Sequence, residues 1–143
     1  MKVRDIMTPR VVAIAGDATV AEAARKMRDE KVGSVLVTED DKLLGIITDR
    51  QITHTVVADG RDPKTVAVRE VMFEEFVPLE PDMDLIVAVR MQRELAMRRL
   101  PVVENGKPVG ILSVSDIAAF AKELIDCVLV EGEVRQKRAR GWE

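Results

Sequence analysis

The sequence contains two copies of one unit, and the second copy lies 65 residues after the first. Residues 3–7 read VRDIM, and residues 68–72 read VREVM. The segment GIIT that begins at Gly45 returns as GILS at Gly110, so both ends of the unit keep the same offset. A tandem duplication of this size predicts two similar substructures packed about a pseudo-two-fold axis. The cleft between them then carries two related surfaces, and we expect function there.

Composition limits the classes of protein that this chain can be. It has 143 residues, of which 47% are hydrophobic, enough for one compact domain with a real core. The net charge of −3 argues against a chain that as a whole coats nucleic acid or an anionic membrane. The single cysteine cannot form an intramolecular disulfide, and no apolar signal segment follows Met1. The apolar runs are strand-sized, so we expect a cytoplasmic protein without a membrane span.

Hydrophobic periodicity predicts the elements of the first unit. Residues 11–14 form a strand candidate, and Thr19 with Glu22 makes a capping box before apolar residues at helical spacing. Residues 34–37 and 43–48 are predicted to pair as a hairpin, and residues 49–58 as a helix. The unit therefore has the order β-α-β-β-α.

The second unit repeats this order. It is predicted to have strands at 76–79, 100–103 and 109–112, and helices at 84–97 and 114 to about 130. We predict an α/β (α+β) fold of two repeats, at residues 1–60 and 68–130, with a connection at 61–67. Cys127 is predicted to lie in the core. Residues 131–143 form a basic C-terminal tail with Arg135, Lys137, Arg138 and Arg140.

The unit resembles the CBS-domain family, whose tandem pairs are called Bateman modules. The resemblance rests on a β-α-β-β-α unit that opens with VRDIMTP, closes with GIITDRQI and is duplicated, and it covers residues 1–128. It implies a regulatory, non-catalytic module that binds AMP, ADP, ATP or S-adenosylmethionine in the cleft and needs no other cofactor. It also implies a disc-like homodimer and, since no effector domain is attached, action on an unknown effector protein in trans.

The resemblance further implies a ligand motif, Gly-hydrophobic-hydrophobic-Thr/Ser-x-x-Asp, in which the Asp binds the ribose hydroxyls. Ser113 and Asp116 match it in the second repeat. A carboxylate can accept hydrogen bonds from both hydroxyls of a cis-diol. The same spacing is close to a helix capping box, and both roles can hold at once. In the first repeat Thr48 matches but Gln51 replaces the Asp, so we predict that the Asp116 site dominates and the Gln51 site is weak or empty.

An apolar slot for adenine and donors for phosphate follow from the same resemblance. Beside Asp116 the candidates by position are Phe76, Val77, Pro78, Arg99, Leu100 and Pro101. The equivalent slot in the first repeat has Val11, Val12, Gly33, Ser34 and Val35. Ordinary core packing is the alternative for each apolar residue. The basic candidates for phosphate are Arg50, Lys31, Arg98 and Arg99, of which the last two are preferred, and a solvated helix end is the alternative.

Other functions are less well supported by the sequence. His54 is the only histidine and is far in sequence from Cys127, so no catalytic or metal-binding set can be assembled and we predict no enzyme. The basic tail allows a second hypothesis, an adaptor for nucleic acid or protein, although glycines around it are typical of a mobile end. Apolar stripes on four predicted helices favour a dimer.

Overall fold

Two small sheets, one from each repeat, form the centre of the molecule in the computed structural model, which describes residues 1–139. The elements of the first repeat are α1 (Val3–Ile6), β1 (Ala13–Ala15), α2 (Val20–Glu30), β2 (Ser34–Glu39), β3 (Lys42–Thr48) and α3 (Asp49–Gln51), which runs into a π-helical segment (Ile52–Val57). Those of the second repeat are α4 (Val68–Val71), α5 (Leu85–Glu94), β4 (Arg99–Glu104), β5 (Lys107–Ser113) and α6 (Val114–Ala139). The predicted mixed fold of two repeats is confirmed.

The two sheets have the same hairpin but differ at one edge. β2 pairs antiparallel with β3, and β4 pairs antiparallel with β5, each with a register shift at the equivalent position. β1 pairs parallel with β2 in the first repeat. The predicted strand 76–79 is wrong, because only Leu79 bridges to Val102. Pro78 stands where Ala13 begins β1, and proline has no N–H to donate to a ladder.

Each repeat contributes its opening segment to the core of the other. Val3 of α1 is fully buried among Leu79, Leu100 and Leu112 of the second repeat. In the first repeat, the core contains Val68 of α4. Backbone hydrogen bonds fix both segments, with Val3 N–H donating to the Met83 carbonyl (2.9 Å) and Val68 N–H to the Ala18 carbonyl (2.8 Å). The repeats seen in the sequence are therefore not the packing units of the structure.

The exchanged segments cross the hairpins at two glycines. Thr8 exchanges backbone hydrogen bonds of 2.9 and 3.0 Å with Ile111, and Phe73 exchanges bonds of 2.8 and 3.0 Å with Ile46. A Cβ atom on Gly110 would lie 2.7 Å from the Thr8 carbonyl oxygen. One on Gly45 would lie 2.9 Å from the carbonyl oxygen of Phe73. Only glycine permits this approach of two backbones.

The apolar stripe of α2 is buried within the chain. Thr19 and Glu22 form the predicted capping box, with Thr19 N–H donating to the Glu22 carboxylate at 2.7 Å. Val20 and Ala23 are fully buried. Of the four stripes that favour a dimer, this one therefore does not need a partner.

Helix α6 extends beyond its predicted end. It continues to Ala139, and every residue from 121 to 139 is exposed. The prediction that Cys127 lies in the core is wrong, because the helix leaves the globular body after Phe120. The basic tail is helical through Ala139, supported by an Arg135–Glu131 ion pair one turn apart (2.9 Å). Arg140 and Trp142 lie outside the described residues.

Candidate functional site

Two pockets open where the repeats meet, and we name them after the motif residues that line them. The Asp116 pocket has a volume of about 260 Å³, and the Gln51 pocket about 390 Å³. Small-molecule sites typically have about 300–1,000 Å³, so both are small clefts open to solvent. Both take residues from each repeat.

In the Asp116 pocket, the carboxylate is held by the first turn of α6. Ser113 N–H donates to one carboxylate oxygen (2.9 Å), and Asp116 N–H donates to the Ser113 hydroxyl (3.1 Å). This is the capping arrangement considered as the alternative. The other carboxylate oxygen accepts only the hydroxyl of Thr8 (3.2 Å) among the described residues. An ionised oxygen has room for a second donor, so capping leaves Asp116 able to bind a ligand hydroxyl.

The rest of the Asp116 pocket combines apolar groups with cations. The apolar part comes from Val12, Val32 and Ile111, with the backbone of Gly33 beside them. The cations are Arg10, Lys31 and Arg99, of which Arg10 is paired with Glu30. A single pocket thus offers a carboxylate, an apolar slot and positive charge. These groups suit a ligand with a hydroxylated middle, a flat apolar part and an anionic end.

The Gln51 pocket repeats this plan with altered chemistry. Thr48 and Gln51 make the same reciprocal cap, with Gln51 N–H donating to the Thr48 hydroxyl at 3.1 Å. The Gln51 amide also donates to the Val71 carbonyl (3.3 Å). A carboxylate could not make that bond. Phe73, which is 36% exposed, takes the place that Thr8 has in the Asp116 pocket, and the basic residues are Arg50, Arg98 and Arg99.

Two residues line both pockets. They are Ser34, the first residue of β2, and Arg99, the first residue of β4, which is its counterpart 65 residues later. Arg99 is the registered partner of Ser113 in the β4–β5 ladder, so its strand places it beside the ligand motif. Arg99 is thereby shared between the two pockets.

The structure groups the predicted residues differently from the sequence. Of the slot predicted for the first repeat, Val12 and Gly33 line the Asp116 pocket instead, and Ser34 lines both pockets. Because the opening segments are exchanged, the strand before α5 does not reach the carboxylate of its own repeat. Neither pocket is lined by Phe76, Val77, Pro78, Leu100, Pro101, Val11 or Val35. Of these, Leu100, Pro101 and Val35 are buried in the core, as in the alternative interpretation.

Several lining residues were missed by the sequence reasoning. In the Asp116 pocket they are Thr8, Arg10, Val32 and Ile111, and in the Gln51 pocket Ile46, Phe73, Ala96 and Met97. Thr8 and Phe73 do carry a signal, since each directly follows the repeated VR-x-x-M segment. The segment was recognised as a repeat but not as a wall of the pocket.

Comparison with known proteins assigns the fold to a family. A family model of the CBS domain matches residues 3–58 and 68–123. The chain belongs to the CBS-domain family. The CBS domain-containing protein YhcV of Bacillus subtilis is 39% identical over 116 residues, which are 81% of this chain and 82% of YhcV. Protein MK0525 of Methanopyrus kandleri is 37% identical over 120 residues, but this chain spans only 60% of its length.

A solved CBS structure supports the same assignment. The hexameric CBS-CP12 protein from bloom-forming cyanobacteria has a TM-score of 0.74 and 36% identity, over 82% of this chain and 66% of that one. Tandem CBS repeats are regulatory ligand-binding modules, and proteins made only of CBS domains are generally not enzymes. Within residues 1–139, no helix has the length and apolar character to cross a membrane, and no cluster of three or more His, Cys, Asp or Glu could hold a metal.

Proposed function

We propose that this CBS pair is a regulatory sensor of an adenosine ligand, of the AMP, ADP, ATP or S-adenosylmethionine class, and that the Asp116 pocket is its main site. The observation that carries the proposal is the open side of the Asp116 carboxylate. One oxygen is used by the cap, and among residues 1–139 the other accepts only the Thr8 hydroxyl, in a pocket that also contains Arg99. The ribose diol is assigned to this carboxylate, because charged acceptors make the stronger hydrogen bonds.

The other residues of the Asp116 pocket are proposed to bind the other parts of the ligand. Val12, Val32 and Gly33 form the slot for the adenine ring, whose edge the backbone beside them can bind. Lys31 and Arg99 offer positive charge to phosphates or, with S-adenosylmethionine, to the carboxylate. In the Gln51 pocket the neutral amide is already bonded to Thr48 and Val71, so binding there is weaker.

The proposed output is a change in a partner protein rather than a reaction. We assign no catalytic step to the chain and place the effector in trans. The regulatory unit is proposed to be a cytoplasmic homodimer, which the exposed apolar side chains and the oligomeric CBS-CP12 relative support. The adaptor hypothesis for the basic tail is not favoured, because no described feature beyond its charge supports nucleic-acid binding.

Thermal unfolding with AMP, ADP, ATP, S-adenosylmethionine and NAD tests the ligand class. A ligand that binds only the folded protein raises its melting temperature, because it stabilises by mass action. We expect an increase with at least one adenosine ligand. The 2′-deoxy form of that ligand is the matched control, and it should give a much smaller increase because it lacks half of the diol. No shift with any of these compounds, or equal shifts with the deoxy form, would contradict the proposed use of Asp116.

Arg99 gives a second test, because it lines both pockets while its neighbour Arg98 lines only the Gln51 pocket. Arg99→Ala is expected to weaken a phosphorylated ligand in the Asp116 pocket by about tenfold, the effect of losing one hydrogen bond between charged groups. Arg98→Ala should leave that affinity unchanged. Isothermal titration calorimetry measures both, and equal losses would show that general surface charge, not the shared guanidinium, binds the phosphate.

A further inference from the structure

The last 19 of the 26 residues of α6 project from the molecule without cover. Residues 121–139, which we call the arm, are all exposed. At 1.5 Å per residue the arm is about 28 Å long. It includes Ile125 (59% exposed), Val128 (66%) and Leu129 (62%). Helical stability in proteins comes mostly from packing an amphipathic face, so these side chains need a partner. Most of the arm lies beyond residue 123, where the family match ends.

Six of the exposed small or apolar residues of α6 form one stripe. Their positions are separated by four, three, four, three and four residues, the spacing that keeps side chains on one helix face. We call this stripe the seam, and its residues are Val114, Ala118, Ala121, Ile125, Val128 and Gly132. All six are exposed, and Leu124 and Leu129 flank them. A narrow stripe of this kind fits one facing helix.

The order of small and large side chains along the seam indicates which helix packs against it. Because the spacing reads the same in both directions, the seams of two antiparallel copies match position by position. Ala118 then faces Val128 of the second copy, and Ala121 faces Ile125. Small residues against large ones fill the interface evenly, whereas a parallel pair would put alanine against alanine and leave a gap. A patch that complements itself about a two-fold axis is what a symmetric dimer requires.

The charges of the arm favour the same orientation. Residues 123–133 carry four acidic and no basic side chains, and residues 135–138 carry three basic ones. In a parallel pair, Arg135, which continues the seam spacing three residues after Gly132, would lie against Arg135 of the second copy. An antiparallel pair moves the two basic ends to opposite ends of the interface. Like charges held side by side are unfavourable, so the parallel pair is disfavoured.

We propose that α6 pairs antiparallel with α6 of a second copy of this chain through the seam, so that the seam is the homodimer interface. The pairing joins the two CBS bodies at opposite ends of a helical connection. It deepens the proposed homodimer by naming its interface, and it replaces the disc-like arrangement that the family resemblance implies. It does not depend on the ligand proposed above, because no seam residue lines either pocket.

Sedimentation velocity at tens of micromolar tests the interface. Ile125→Glu and Val128→Glu put a charge on the seam and are each expected to weaken dimerisation by at least tenfold. Val130→Glu is the matched control, because Val130 is equally exposed (60%) on the same helix but off the seam, and it should remain dimeric. Circular dichroism and ligand titration check that each variant is folded. A monomeric wild type, or a dimer that both seam variants leave intact, would overturn the proposal.

Orientation is tested by spin labels on Gln136→Cys in a Cys127→Ser background. Gln136 lies 13 residues from the midpoint of the seam, so antiparallel pairing predicts a label separation of about 40 Å at 1.5 Å per residue. A parallel pair predicts labels about one helix diameter apart, near 10 Å. Electron–electron double resonance distinguishes the two, and the short distance would refute the antiparallel arrangement. Capture of a different protein by a monomeric arm would also refute it.

Discussion

Replacing Asp116 by asparagine is expected to lower the affinity for the adenosine ligand by about ten- to a hundredfold, or 1.5 to 3 kcal/mol. Asparagine keeps the size of the side chain and can still accept the Ser113 N–H, so the cap of α6 is retained. It loses the charge on the oxygen that is open to the ligand. Calorimetric titration of the ligand class found by thermal unfolding gives the change.

The matching substitution in the other pocket is the control for this prediction. Gln51→Ala should change the affinity little, because that amide is neutral and already bonded to Val71. Melting temperatures of both variants separate binding from stability. Equal losses of affinity at the two positions would contradict the asymmetry between the pockets, whereas no loss at either would place the ligand elsewhere.

Gly110→Ala is expected to destabilise the fold by about 1–3 kcal/mol, the usual cost of overpacking, and to weaken ligand binding as well. A Cβ atom there meets the Thr8 carbonyl oxygen at 2.7 Å and the Met7 sulfur at 2.9 Å. The backbone of the exchanged segment must therefore move. Thr8, which donates to Asp116, moves with it. Urea unfolding and ligand titration measure the two effects.

Two other glycines provide controls. Gly16→Ala meets only the exposed guanidinium of Arg69, at 3.1 Å, and should cost little because that side chain can shift. Gly45→Ala should destabilise as Gly110→Ala does, since its Cβ atom meets the carbonyl oxygen of Phe73, but it perturbs the Gln51 pocket. If Gly110→Ala were as stable as Gly16→Ala, the close crossing of the segments would be incorrect.

The elements that depend on local sequence were predictable. The capping box at Thr19 and the two hairpins follow from local chemistry, and the structure has them. The predicted strand 76–79 is wrong because hydrophobic periodicity takes no account of Pro78, which lacks the backbone N–H that a strand ladder needs. The predicted end of α6 near residue 130 is wrong because the glycines around the basic tail were interpreted as a mobile end, whereas Gly132 within the helix costs only about 1 kcal/mol relative to alanine.

The candidate site was predictable in its motif but not in its walls. Ser113 and Asp116 are three residues apart, and this spacing at the start of a helix is enough to predict the hydrogen bonds between them. The walls that come from the first repeat, residues 8–12 and 31–34, lie beside Asp116 only because that repeat packs against the second and its opening segment crosses β5 at Thr8. The exchange of opening segments is a long-range packing choice, and a repeat pattern is equally consistent with two self-contained units. The sequence shows that Gln51 stands where the motif has aspartate. Only the structure shows what the amide does there, because it donates to the Val71 carbonyl.

The exchange of opening segments also decides how the chain can reach its native state. The core of the first repeat is incomplete until Val68 of the second repeat has been synthesised. The core of the second repeat needs Val3, which lies at the opposite end of the duplicated sequence from Leu112. Neither half holds a finished core, so partial unfolding of one exposes apolar surface in the other. The two repeats should therefore fold and unfold together as one cooperative unit. Because both cores depend on residues distant in sequence, the chain should fold more slowly than a helical bundle of the same size.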